Sequence, residues 1–434
     1  MQTRKLPEFK DMERKVIAHV DADCFYVSCE RLRDPSLNGK PVAVCSSVNA
    51  IVVARSYELK PYGVTVGSPT WEVRKVVPNA IFFPADFRYY GAVSYKMFEV
   101  LKSISPELEV YGIDEGFIDL TGLDRYYKMD FEQIGMLIKK RVREEVGITV
   151  SVGIGHTKTI AKLASDYRKP DGLAYIHDGN LEKFLDDREV CDIWGFGRRW
   201  GIRIERFGLQ TALQFYETPL PQVKKWMGKL GMDMWLELHG NAMYRIDTEE
   251  SQPKSISRTA NFDLKTTDPD RVFAASAFHA ARVVSILVAK NLYTNRVQLF
   301  LRSKDFSLQW AEAIPERPTN NYEIIIAAVR KAFDQLFRAG TIYRGTGVVV
   351  DVDPAGPNAP DIFGDFQKDE RAAQLTRAIT KLNQKYGGGT AAYLAALPMW
   401  SKRRGQNRTG PERPDGIHFD TVPEHLTRIR FWKN

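Results

Sequence analysis

Cysteine is scarce in this chain. Cys24, Cys29, Cys45 and Cys191 are the four among 434 residues, and they are scattered without the recurring spacing of a metal centre. A disulfide framework and a thiolate-bound metal are therefore set aside, and free, partly buried thiols in a reducing compartment are expected. The N-terminus shows no apolar stretch of the secretory kind, and no apolar run approaches the ~20 residues that cross a bilayer. A cytoplasmic protein, nucleoid-associated if it meets DNA and with no membrane partner, is the expectation. Wholesale disorder is not indicated either, because 44% of residues are hydrophobic and only 27% are charged. What the chain does have is length and positive charge. At 434 residues it exceeds one ordinary domain. Its net charge of +8 permits a polyanionic partner.

Two acidic stretches carry the chemistry. Residues 111–120 read Tyr-Gly-Ile-Asp-Glu-Gly-Phe-Ile-Asp-Leu, which predicts strand, tight turn, strand, with Asp114 and Glu115 at the turn. Turn acids are common, and this pair alone would carry little. Residues 16–20 form a second apolar run, ending in Asp21-Ala22-Asp23. Side chains two apart on a strand share a face, so Asp21 and Asp23 can point together from its end. Carboxylates gathered in this way repel one another unless cations lie between them, and oxygen-rich sites suit Mg²⁺. Two such ions form the clamp used for in-line phosphoryl displacement. Asp21, Asp114 and Glu115 are the expected ligands, with the Ala22 carbonyl as a backbone ligand. Asp23 either supports them from behind or stabilises the turn into the next helix, and Asp119 is taken as structural.

The predicted element order places these acids together. Omitting the segment between Asp23 and Asp86, the chain runs strand, helix, two strands, helix, strand. That is the split βαβ, ferredoxin-like order, in which the first strand lies beside the hairpin. In-line phosphoryl transfer also needs cations for the phosphate charge. Lys60 and Lys169 are the candidates, each against the alternative of a solvated surface charge.

Four ordered stretches carry a resemblance to the Y-family translesion DNA polymerases: Asp21-Ala22-Asp23-Cys24-Phe25-Tyr26-Val27-Ser28-Cys29-Glu30, Ala54-Arg55-Ser56-Tyr57-Glu58-Leu59-Lys60, Ile113-Asp114-Glu115-Gly116-Phe117 and Gly153-Ile154-Gly155-His156-Thr157-Lys158-Thr159. The Arg55-Ser56 wording and the long C-terminal extension resemble the bacterial UmuC branch most. The resemblance implies two Mg²⁺, or Mn²⁺ in their place, held by Asp21, Asp114, Glu115 and the Ala22 carbonyl. It implies an incoming dNTP bound by Asp23, Cys24, Phe25, Tyr26, Tyr57, Lys60 and Lys169. Tyr26 would be a steric gate against a ribose 2′-hydroxyl, where the residues alone suggest a helix-packing aromatic. Two departures stand out. Lys60 replaces an arginine, trading a bidentate fork for a point charge. Gly116 replaces an alanine, which would loosen the hairpin.

The fold class expected is a multidomain α+β right hand. Palm would be residues 1–24 and 87–176, fingers 25–86, a helical thumb 177–247, a linker 248–254, a βαββαβ little finger 255–353 and a C-terminal extension 354–434. In the thumb, Gly195-Phe196-Gly197-Arg198 reads as a helix-hairpin-helix turn, where glycine allows close approach to phosphate and a helix N-terminus follows. Residues 255–353 repeat the split βαβ order, and Arg258, Arg296, Arg302 and Arg344 on or beside those strands are candidates for the DNA backbone. Asp361-Ile362-Phe363-Gly364 faintly resembles a sliding-clamp-binding peptide, with Ala359 where a glutamine is usual. Residues 370–386 predict an amphipathic helix with Leu375, Ile379, Leu382 and Tyr386 on one stripe.

A low-fidelity, damage-tolerant polymerase extending primer-template DNA follows, with a sliding clamp and accessory SOS subunits as further partners. The rival is a non-catalytic, polymerase-like accessory factor, disfavoured by the retention of all three acids. A nucleotidyl cyclase would share the palm but not the basic second domain.

Overall fold

The computed structural model describes residues 14–46, 51–248, 252–353, 365–386, 391 and 393. They fall into two compact units divided after residue 250.

The first unit opens with β1 (Ile17–Ala22) and α1 (Phe25–Arg33). A small lobe follows, comprising β2 (Val42–Cys45), β3 (Val52–Arg55), α2 (Thr70–Val76) and β4 (Ile81–Pro84). Its three strands lie in the order β3-β2-β4 over a core of Ala43, Val52, Leu59, Val64, Val73 and Val77. The chain then returns through α3 (Phe87–Ile104), capped by the Asp86 side chain, to β5 (Leu108–Val110) and β6 (Glu115–Asp119). Next come α4 (Leu123–Tyr127), α5 (Phe131–Glu145, opened by an Asp130–Gln133 capping box), β7 (Val150–Gly155), α6 (Lys158–Tyr167) and β8 (Leu173–Tyr175).

The main sheet has the order β5-β6-β1-β7-β8. Strand β1 sits between the hairpin and β7, as the element order requires, and β8 adds an unforeseen edge strand. Period-2 alternation divides β1 between two faces. Ala18, Val20 and Ala22 join Met97, Leu101, Ile134, Ile138 and Val142 in the core under α3 and α5. Ile17, His19 and Asp21 face the other way, where α6 lies. Helix α6 can lie against β7 because Gly153 has no side chain: a Cβ there would come 2.1 Å from the Ser165 amide nitrogen and 2.2 Å from the Ala161 carbonyl.

The hairpin differs from expectation in one detail. Its first strand ends at Val110, residues 111–114 make the turn, and Glu115 is the first residue of the outgoing strand. Gly116 also proves to be a packing residue, since a Cβ would lie 2.8 Å from the Glu109 carbonyl and 2.9 Å from Phe98. The glycine lets the hairpin close on α3 instead of loosening it.

The first unit ends in a helical subdomain of α7 (Leu181–Asp186), α8 (Arg198–Glu205), α9 (Ala212–Glu217) and α10 (Leu220–Leu238, with Gly228 non-helical at φ 61°) around Phe184, Phe196, Phe215 and Trp235.

The second unit runs β9 (Ser255–Thr266), α11 (Pro269–Ala289), β10 (Val297–Ser303), β11 (Leu308–Ala313), α12 (Tyr322–Leu336), β12 (Tyr343–Asp351) and α13 (Asp365–Tyr386). The βαββαβ order is present, with strands arranged β11-β10-β12-β9. Each βαβ is still split, but here the last strand is inserted beside the first, and the first lies at an edge. Helix α11 corrects one expectation: it has 21 residues and is apolar enough to span a bilayer, yet 72% of its apolar window is buried as the core helix of this unit. Helix α13 packs on α11 through a different stripe from the one expected. Ala373 and Thr376 are buried, while Leu375 and Leu382 are exposed because they point away from that contact. The side chain of Tyr386 and the clamp-like peptide at 361–364 lie outside the described residues.

Candidate active site

The antiparallel register of β1 and β6 sets Asp21 directly opposite Glu115. The Ala22 amide donates to the Asp114 carbonyl at 2.8 Å, which pins the hairpin turn to the end of β1. Gly112 completes the turn, since a Cβ there would press at 2.8 Å on Glu115 Cγ and at 3.3 Å on Asp114 Oδ1. Three carboxyl-bearing residues from two elements therefore meet at the sheet's open end.

Their electrostatics differ. Burial, with Asp21 and Glu115 adding repulsion, pushes the Asp114 carboxyl well above the usual carboxylate range. Burial also raises Asp21, against the opposing pull of Lys169. Glu115 goes the other way, held down at about 2: burial would raise it, but the His19 ring and Lys162 outweigh that. A hard-oxygen donor set, short of positive charge at Asp114, fits a divalent cation. One oxygen each of Asp21 and Glu115 and one His19 ring nitrogen lie within 4.8 Å of one another.

Two lysines approach from α6 and the loop after it. Lys162 Nζ is ion-paired with Glu115 Oε2. Lys169 Nζ lies 2.8 Å from Asp21 Oδ2 and 2.7 Å from Asp166 Oδ1. Burial would lower the Lys169 amine, but Asp21 and Asp166 together hold it above its ordinary range.

Asp23 does not join the carboxylate cluster. It is 3% exposed; its Oδ1 accepts from Ser151 Oγ at 2.8 Å and its Oδ2 from the Asp171 amide at 2.8 Å. The strand ends at Ala22, so the chain turns and delivers the Asp23 carboxylate to the 169–171 loop. These bonds tie the Asp23 side chain to β7 and to the 169–171 loop. The Cys24 backbone lies in the left-handed region (φ 45°) at the start of α1, and Phe25 is buried. Tyr26 stacks on Tyr90 (centroids 4.7 Å, 19° between planes) and meets Phe87 edge-on. Tyr57 reaches Asp23 at 3.5 Å, with Lys60 Nζ 4.0 Å above its ring. Asp119 is tied to Lys15 Nζ at 2.7 Å and to the Thr121 amide at 2.9 Å.

Further along, Gly195 takes φ 90° and Gly197, in extended conformation, immediately precedes α8; the Arg198 side chain lies outside the described part. In the second unit, Arg258 stands opposite Val348, on the face that carries the buried Ile256 and packs the helices. Arg302 lies on the opposite face and donates to Asn261 Oδ1 at 3.3 Å. Arg296 is paired with Glu312 and Asp351, and the Arg344 guanidinium lies 3.8 Å above the Phe306 ring.

His19, Lys162 and Ser165 were not singled out from sequence. Only the alternation along β1, which puts His19 on the face of Asp21, gave a signal.

A solved "Y-family DNA polymerase chimera Dbh-Dpo4(243-245)-Dbh" resembles this chain with a TM-score of 0.65 at 23% identity, covering 77% of this chain and 98% of its own. The fold is that of a Y-family DNA polymerase. The impB/mucB/samB family pattern matches residues 20–166, and the pattern for the family's C-terminal domain matches 253–352. Protein ImpB of Salmonella typhimurium is 29% identical over 406 residues, 90% of this chain and 95% of that protein. A DNA polymerase IV of Xanthomonas axonopodis pv. citri (strain 306) is 31% identical over 344 residues, 77% of this chain and 93% of that protein. The chain belongs to the impB/mucB/samB family.

Proposed function

We propose that the chain is a template-directed translesion DNA polymerase whose working carboxylates are Asp21, Asp114 and Glu115. The observation that carries this is the register pairing of Asp21 with Glu115, with Asp114 pinned beside them and kept short of positive charge. The reaction joins a primer 3′-hydroxyl to the α-phosphate of a dNTP and releases pyrophosphate. Asp21, Asp114, Glu115 and the Ala22 carbonyl would hold two Mg²⁺, which supply Lewis-acid charge to the attacking and leaving oxygens. Lys169, Lys60 and Tyr57 bind the triphosphate and neutralise charge on its non-bridging oxygens. Tyr26, backed by Tyr90 and Phe87, presents a fixed ring edge that excludes a 2′-hydroxyl.

The domain assignment made from sequence accommodates this: palm at 1–24 and 87–176, fingers at 25–86, thumb at 177–247 and little finger at 255–353. Gly195, Gly197 and Arg198 contact DNA phosphates from the thumb, and Arg296, Arg302 and Arg344 are assigned to the backbone from the little finger, Arg258 being turned to the helix-packed face. A sliding clamp and accessory SOS subunits belong to the same reading. Extension of a primer on intact and abasic templates tests it, with Asp21→Ala as control. Synthesis past the abasic position, absent from the variant, is expected; stalling of wild type on both templates overturns it.

A further inference from the structure

Glu30 closes the first of the four ordered stretches, and nothing in the reaction as written uses it. It lies on α1 one turn after Tyr26, and residues so spaced on a helix share a face. Glu30 is 4% exposed, so its carboxyl group is buried and needs a hydrogen-bond partner. Tyr90 of α3 supplies one: its hydroxyl donates to Glu30 Oε1 at 2.6 Å.

The same Tyr90 ring is the one stacked on Tyr26. One fully buried side chain therefore spans a turn of α1, with its face on Tyr26 and its tip on Glu30. Stacking by itself is weakly directional, since offset and edge-to-face arrangements are both favourable. A hydrogen bond is directional, so the Glu30 contact sets where along α1 the Tyr90 ring comes to rest.

The surrounding groups fit this arrangement. Phe87, one turn earlier on α3, meets both rings edge-on, with centroids 5.8 Å from Tyr26 and 6.2 Å from Tyr90. Arg33 Nη1 stands 3.9 Å from the same Glu30 oxygen, beyond hydrogen-bond reach, while its Nη2 donates to Asp86 Oδ2 at 2.8 Å. Asp86 in turn caps α3 by accepting the Tyr89 amide. The two helices are thus fastened at two levels. The Arg33–Asp86 pair fixes where α3 begins, and the Tyr90–Glu30 bond fixes the ring beneath Tyr26. Tyr26 is half-buried where Tyr90 and Glu30 are buried, so it is the open member of the stack.

Resting on the Tyr26 gate reading above, we infer that Tyr90 and Glu30 are positioning residues for sugar selection, the Tyr90–Glu30 hydrogen bond holding the ring that holds Tyr26 against a 2′-hydroxyl. A gating ring without that support tilts aside and admits the extra oxygen. Misplacement on the order of 1 Å is enough to lose such a selection.

The test is the ratio of kcat/KM for a dNTP to kcat/KM for the matching rNTP, measured by primer extension with the full chain. It compares wild type, Tyr90→Phe, Glu30→Leu, Glu30→Gln, Tyr26→Ala and the double variant Tyr90→Phe with Tyr26→Ala. Tyr90→Phe keeps the ring and removes the donor; Glu30→Gln keeps an acceptor oxygen in nearly the same place. The ratio is expected to fall about 3–10-fold in Tyr90→Phe and in Glu30→Leu, the worth of one hydrogen bond. It should stay near the wild-type value in Glu30→Gln. On the Tyr26→Ala background Tyr90→Phe should change the ratio no further, because the ring it positions is gone. A merely structural role lowers both kcat/KM values together and leaves their ratio where it was. If Glu30→Leu does not fold, Tyr90→Phe, which adds no volume, decides alone. An unchanged ratio in folded Tyr90→Phe, or a fall in Glu30→Gln as large as in Glu30→Leu, overturns the inference while Tyr26→Ala still lowers the ratio. Failure of the gate reading is separable: Tyr26→Ala would itself leave the ratio at the wild-type value, and the inference would fall with it.

Discussion

The Asp23 carboxylate accepts the backbone N–H of Asp171 at 2.8 Å, across 148 positions of sequence. Through this bond the first strand's end governs the loop that carries Lys169 over Asp21. Asp171 sits at φ 52° and is further tied by Lys139 to its carbonyl and by Arg143 to its carboxylate. The loop is therefore held at several points, and the lysine's place depends on them.

If Asp23 acts through Lys169, the two residues cannot contribute independently. Asp23→Ala should lower kcat/KM for dNTP by about 10-fold, and almost not at all when Lys169→Ala is already present. Steady-state kinetics on the double-mutant cycle check this, and additive losses would mean that Asp23 works elsewhere.

Gly116→Ala should destabilise the enzyme, although alanine is the residue expected there. The added methyl meets the Glu109 carbonyl at 2.8 Å and Phe98 at 2.9 Å. Overpacking of this kind costs about 1–3 kcal/mol, a fall of roughly 2–10 °C in Tm. Differential scanning calorimetry reads it.

Tyr26→Ala should admit ribonucleotides. Removing the ring braced by Tyr90 leaves space at the sugar, so discrimination against rNTP falls by at least ~10-fold. The ratio of kcat/KM for dNTP and rNTP is the measurement, and an unchanged ratio assigns Tyr26 to packing alone.

Asp119 should matter to stability and not to synthesis. Burial would raise its carboxyl, but hydrogen bonds from Lys15 and Thr121 outweigh that and hold it below the usual range. A depressed carboxyl stabilises the fold above its unfolded pKa of ~3.9 and loses that contribution as pH falls through the folded value. The Tm gap between wild type and Asp119→Asn should therefore stay level from pH 7 to about 4 and close below that. Primer extension by the variant should be unaltered.

How far the site could be read from sequence depended on which contacts follow from element order. Strand, helix, hairpin, helix, strand is enough to put β1 beside β6, and so Asp21 beside Glu115. It is not enough to say which way Asp23 turns, because that depends on where β1 stops pairing and on a loop far along the chain. His19 and Ser165 were invisible for a related reason: they meet because Gly153 lets α6 lie on β7, a packing event that neither residue announces. The second sheet shows the same limit. Its helices and strands were legible from their periodicity, but inserting β12 rather than β9 between neighbours is decided by tertiary packing.

The central claim is that Asp21, Asp114 and Glu115 form one working site. Extension of a labelled primer on a templated duplex with Mg²⁺ and each dNTP in turn, comparing wild type with Asp114→Ala, tests it most directly. Wild type should add the templated nucleotide and the variant should add none while binding the duplex equally well. Equal extension by both proteins, or equal binding with extension by neither, would contradict it.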